Sequence, residues 1–162
     1  MPRSLPADDE LLRPTMAAGD DPVHMRAAWN PWTLAVLAIL GGPLSAGYLF
    51  AENARRLGQK KYTAAILAAG LALVLLGGFV AARLRTLESF ADWSALSLLR
   101  LTQRAGAALL AAPLATLQTR RFRVFTGNDG EPGPLLFHGI VAVFVVSWFG
   151  NLIGAAVTRW AN

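Results

Sequence analysis

Three stretches of the chain, residues 32–51, 63–82 and 135–157, carry no charged side chain over 20, 20 and 23 residues. That length is what a helix rising about 1.5 Å per residue needs to cross a hydrocarbon core about 30 Å thick. In hydrocarbon a spanning segment must satisfy its backbone N–H and C=O groups internally, which selects helices over irregular chain. The feature therefore predicts an all-α integral membrane helical bundle, with three firm spans and a fourth segment that is either a marginal span or an interfacial helix. Composition points the same way, since 54% of the 162 residues are hydrophobic and 15% charged, against about 45–50% and about 25% in soluble domains. A disordered protein, a disulfide-stapled module and a soluble basic nucleic-acid domain are disfavoured.

Read in order, residues 1–30 form a polar lead-in broken by Pro2, Pro6, Pro14 and Pro22 and carrying Asp8, Asp9, Glu10, Asp20 and Asp21. Nothing there can pay for chain ordering, so a disordered tail is expected before a transmembrane helical domain over 31–162. It lacks the apolar core of a signal peptide, and Met16 and Met25 are alternative initiation points within it. In the first span, 32–51, Trp29 and Trp32 at one end and Tyr48 and Phe50 at the other stand as interfacial aromatics do. Pro43 at its middle predicts a kink near residues 41–43. The turn at 52–62 contains Gly58, a candidate helix C′ residue, and Glu52 and Asn53, expected to form a local salt bridge and a cap.

The second span, 63–82, is uninterrupted. Between 94 and 118 the pattern is helical, yet Ser97, Arg100, Gln103 and Arg104 fall on one stripe and Pro113 breaks the apolar part. Two readings stay open: an interfacial helix followed by a re-entrant piece, or a span over 98–118 whose arginines snorkel to the headgroups. The stretch TGNDGEPGP, residues 126–134, is a loop by its turn residues. The last span, 135–157, is closed by Arg159 and Trp160 as anchors.

The net charge of +5, from 15 Lys and Arg against 10 Asp and Glu, would suggest a polyanion in a soluble protein. Beside membrane spans it reads as orientation, because cytoplasmic loops gather basic residues. Two clusters stand out, Arg55, Arg56, Lys60 and Lys61, and Arg120, Arg121 and Arg123. They share a side if the fourth segment crosses, an arrangement that puts both termini outside. The second cluster, with Phe122 and Phe125, suits anionic lipid headgroups at about 1 kcal/mol per basic residue. The bilayer is the expected partner and nucleic acid is not.

The small residues of the spans mark helix-packing faces. Gly150 and Gly154 form a GxxxG flanked by Ser147, Asn151 and Thr158, and Gly77 with Ala81 offers a similar face. Such faces draw helices together in lipid, within one chain or between chains, so a homo-oligomer or membrane-protein partner is open. Asn151 is expected to hydrogen-bond across the bundle. His138 lies about one turn inside the last span, as a structural or a titrating group. No metal-ligand spacing, phosphate loop, dinucleotide fingerprint or catalytic carboxylate pair occurs, and cysteine is absent, which removes thiolate chemistry. A Ser45/His138 dyad is conceivable, but Ser45 lacks the Gly-x-Ser-Gly context of intramembrane serine proteases. No cofactor is expected.

Residues 42–47, Gly-Pro-Leu-Ser-Ala-Gly, and 53–58, Asn-Ala-Arg-Arg-Leu-Gly, resemble a G-P-L-x-A-G and N-x-x-R-L-G pattern of small bacterial multi-pass membrane proteins without an assigned activity. The resemblance implies a bacterial inner membrane and no catalytic residue. The functional expectation is a non-enzymatic interaction or accessory subunit. The alternative is a small transporter or channel component, acting as an oligomer, with Arg100, Arg104, His138 and Asn151 along a polar path.

Overall fold

The computed structural model describes residues 27–161 apart from Ala91 and Asp129. The tail expected over 1–30 lies outside the described residues as far as residue 26. Among the described residues the chain is all-helical. The helices are α1 (Pro31–Gly41), α2 (Pro43–Arg56), α3 (Thr63–Leu84), α4 (Ala95–Gly127), α5 (Leu136–Ile140) and α6 (Ser147–Trp160). A π-helical stretch, Val141–Val146, joins α5 to α6 in one continuous rod. Short 3-10 turns occupy Lys60–Tyr62 and Glu88–Phe90.

The segment 32–51, expected as one bent span, is a helical hairpin instead. Gly42 adopts φ 86°, ψ −179°, between α1 and α2. Only glycine takes that backbone without a Cβ penalty, and Pro43, with its fixed φ and no N–H to lose, starts the next helix. The Gly42 N–H closes α1 on Ala38 O, and Gly42 O accepts the first bond of α2 from the Ala46 N–H. At the open end Trp29 N–H donates to Asn53 Oδ1 while Asn53 Nδ2 donates to Trp29 O. The Arg56 guanidinium lies 4.0 Å from the Trp29 ring centroid. A proline kink alone deflects a helix; the positive φ before it reverses this one. At 11 and 14 residues the arms are about 16 and 21 Å long.

Asn53 is therefore a buried tie and not a cap. Residues 27–30, expected in the disordered tail, are packed, with Ala28 and Trp29 buried. The expected local ion pairs do form, Glu52 with Arg55 and Arg56. Gly58, at φ 75°, ends α2 as a C′ residue should: Gln59 N–H donates to Ala54 O and Gly58 N–H to Arg55 O.

The remaining helices run the length of the bundle. The stretch 98–118, left open above, lies inside α4, a single helix of 33 residues, about 50 Å long. Pro113 is tolerated with its ring on the exposed side. Of the three firm spans expected, two helical stretches are long and apolar enough to cross a membrane, Lys60–Leu84 and Leu136–Trp160.

Glycine sets the closest approaches. A Cβ on Gly70 would sit 2.7 Å from Pro43 O and 3.1 Å from Gly47 Cα, and one on Gly78 would sit 2.7 Å from Gly154 O. Across these contacts α3 meets α2 and α6. Small polar groups stitch α3 to α6 and to α4: Thr158 Oγ1 donates to Gly78 O, Thr102 Oγ1 to Gly77 O and Gln103 Nε2 to Val74 O. Asn53 Nδ2 also donates to Gln118 Oε1, and Gln118 Nε2 donates to Phe50 O, tying α4 to the hairpin.

One end of the bundle, the near end, gathers 27–30, 56–62, 122–128 and 130–135; there Ala28, Leu57 and Phe125 pack together and Trp29 Nε1 donates to Pro134 O. The far end gathers 84–90, 92–94 and 158–161, with Ala81, Leu98 and Leu99 packed near Leu84 and Phe90.

Gly70→Val forces backbone against backbone and is expected to cost about 1–3 kcal/mol, the usual range for overpacking. Gly127→Ala, with nothing within 4 Å of its Cβ, is expected to be neutral. Asn53→Ala strands the Trp29 backbone and Gln118, at about 1–3 kcal/mol. Unfolding midpoints in detergent micelles check all three.

Candidate functional site

The hairpin reversal buries Gly41 and Gly42 at its apex beside the polar stripe of α4, while Leu40 is exposed. Arg100, Gln103 and Arg104 follow one another at helical spacing on that stripe, and Ser147 and Asn151 face them from α6. Together with the apex these side chains line a cavity of about 110 Å³. Gln103 is buried, anchored to Val74 O. Its amide occupies the room left by two glycines, since a Cβ on Gly154 would lie 2.9 Å and one on Gly77 3.2 Å from Nε2.

The charge here is all of one sign. Arg100 and Arg104 are exposed along the cavity rim, while the ion pairs among the described residues both belong to Glu52 at the other end. The cavity wall holds no carboxylate. The α2 N-terminus begins at the apex, adding the positive end of a helix dipole.

Four residues were grouped above as a polar path, and the structure divides them. Arg100, Arg104 and Asn151 meet at the cavity. His138 lies elsewhere, its ring 4.7 Å from the Trp29 ring and 5.7 Å from that of Phe137, with Nδ1 buried and unbonded among the described residues. The division follows from the rod itself: 13 residues separate His138 from Asn151, about 20 Å along a helix. Ser45 and His138 form no dyad. The Ser45 hydroxyl is held by the carbonyl oxygens of Gly41 and Ala142.

The helix-packing residues are placed as follows. Gly150 meets Leu44 and Val74, Gly154 meets Leu99 and Gln103, Gly77 meets Thr102 and Gln103, and Ala81 is buried against Leu98 and Leu99. Ser147 and Asn151 line the cavity instead, and Asn151 makes no cross-helix hydrogen bond among the described residues; Thr158 makes that link. The basic residues Arg55, Arg56, Lys60, Lys61, Arg120, Arg121 and Arg123 all lie toward the near end, where Arg120, Arg123 and Trp32 border an open groove of about 550 Å³.

Sequence reasoning missed Asn53 and Gln118 as a structural pair. A signal existed for Gln118: it continues the buried stripe Ala107, Ala111, Ala115 at spacings of four, four and three. Among the described residues no group of three His, Asp or Glu side chains converges on a metal-sized site. No protein-family model, curated protein or solved structure matches the chain.

Because the chain has no native cysteine, single cysteines report accessibility cleanly. Arg104→Cys and Asn151→Cys are expected to react with a charged thiol reagent at least tenfold faster than Leu109→Cys, which lies on an apolar outer face. Equal rates would mean that the cavity is not wetted.

Proposed function

We propose that this chain is a bacterial inner-membrane protein, a non-enzymatic interaction or accessory subunit held in the bilayer by the outer faces of α3, α4 and the α5–α6 rod. The observation that carries the reading is how little the most apolar helices bury. In their most apolar windows, 28% of Lys60–Leu84 and 17% of Leu136–Trp160 are buried within the chain. A core helix of a soluble protein is mostly covered. Here Leu71, Leu75, Leu76 and Phe79 on one helix and Phe144, Val145, Trp148 and Phe149 on the other stand outside. A belt of that extent needs lipid or another protein against it.

In this reading α1 and α2 enter from one side and return to it, their apex part-way across, while α3, α4 and the α5–α6 rod cross. The reversal is compatible with lipid because its backbone is lined by protein, the condition under which broken helices occur at membrane depth. Both basic clusters lie toward the near end, seven residues against Arg83, Arg85, Arg100, Arg104 and Arg159 toward the far half. The difference favours a cytoplasmic near end. The hairpin carries Ala27 to Asn30 to that same side, so the four-crossing arrangement with outside termini gives way to three crossings and a re-entrant hairpin.

The second reading, a transporter or channel component, is favoured by one observation, the meeting of Arg100, Arg104 and Asn151 around a cavity. A broken helix with its N-terminal end at a polar cavity is the construction used for substrate sites at membrane depth. It lacks the fourth expected member, His138.

Orientation is testable with impermeant thiol labelling of whole cells. Ser89→Cys is expected to label from outside, whereas Asn30→Cys, Gln59→Cys and Gly130→Cys are expected to stay protected until the membrane is opened. Opposite results for Asn30 and Gln59 would replace the hairpin with a straight span.

A further inference from the structure

We propose that the cavity at the hairpin apex binds a tetrahedral oxyanion, phosphate chemistry carried by a free anion or by a phospholipid headgroup. The proposal rests on the bilayer placement above and adds a ligand to it.

Arg100 and Arg104 lie five and nine residues into α4, about 8 and 14 Å from its start. An arginine stays charged at any accessible pH, and two guanidinium groups brought to one polar cavity at that depth favour an anionic partner. Neither has an ion pair among the described residues. Glu52 is engaged by Arg55 and Arg56 at the opposite end, and Glu88 and Asp92 in the far connection form no salt bridge with them.

The rest of the wall is built for the same sign of ligand. Gln103 and Asn151 bring amides and Ser147 a hydroxyl, and no carboxylate intrudes. The α2 N-terminus points its dipole at the apex. Two planar forks one helical turn apart offer paired donors of the kind that bind phosphate oxygens bidentately, and an anion with three or four oxygens can engage both. The cavity, about 110 Å³, far exceeds the ~10–15 Å³ needed by one water. Gly42 lines it at the apex, and a Cβ there would meet only Gln103 Cβ, at 4.0 Å, beyond its chain neighbours.

The test uses the full-length protein. In detergent micelles, inorganic phosphate is titrated against chloride at constant ionic strength while the unfolding midpoint is followed. In nanodiscs, the lipid retained after delipidation is weighed for phosphatidylglycerol against phosphatidylcholine. A free-anion site predicts a saturable rise of the midpoint with phosphate, with affinity at least tenfold weaker in R100Q/R104Q and unchanged in R120Q/R123Q. A headgroup site predicts no phosphate response, but phosphatidylglycerol retained by the wild type and lost from R100Q/R104Q. Should that variant not fold, Asn151→Leu, which narrows the cavity without removing charge, carries the same expectation. The proposal is overturned if the wild type neither responds to phosphate nor retains phosphatidylglycerol selectively, or if the cavity variants behave as the wild type. Carbonate extraction of the membrane fraction reads the bilayer placement separately, whichever of these results is obtained.

Discussion

The reversal at Gly42 and Pro43 is the constraint on which the remaining packing depends. It converts an apolar stretch long enough to cross the bundle into two short antiparallel arms, latched by the reciprocal bonds between Asn53 and the Trp29 backbone. Its apex fixes what stands around it. Gly70 is compelled to be glycine by Pro43 O, the Ser45 hydroxyl reaches Ala142 O at the edge of the π-helical stretch, and the polar cavity opens where the arms turn back. Replacing the latch loosens every one of these contacts together, because all are referred to the position of α2.

The bundle is held less by large side chains than by close backbone approach with small polar links. Its buried polar side chains, Ser45, Asn53, Gln103, Gln118 and Thr158, each bond to a main-chain carbonyl or N–H on another segment. Van der Waals contact at glycine and links of this kind supply the specificity of the packing. Each link is worth roughly 0.6–2 kcal/mol. Arg100 and Arg104 stand apart from that pattern: among the described residues they make no ion pair, and their cavity is the part of the bundle that packing alone does not explain.

Legibility followed the range of the interaction. The helices over 63–84 and 136–160 were readable to within a few residues, because a run without charges is a local property. Gly58 was readable because a helix end needs positive φ within a few residues of the last turn. The hairpin was not. Gly42 and Pro43 announce a disturbance, but a kink and a full reversal use the same letters, and Asn53 selects between them only by meeting Trp29, 24 positions away. The partners of Asn151 and His138 were not legible for a related reason: Asn151 joins Arg100 and Arg104 at the cavity without the expected cross-helix bond, and His138 stands apart beside Trp29, because spacing along one helix does not name the neighbour a polar residue meets.

What the sequence determined by itself is helical content, the apolar lengths, the positions of the breaks and the clustering of basic residues, all of which arise from neighbours along the chain. Tertiary structure alone decided that the first apolar run folds back on itself, that Gly154 and Gly77 make room for Gln103, and that Arg100 and Arg104 share a cavity with Asn151. These are contacts between segments, and their free energy depends on the fit of several helices at once, which no single helix carries in its own pattern.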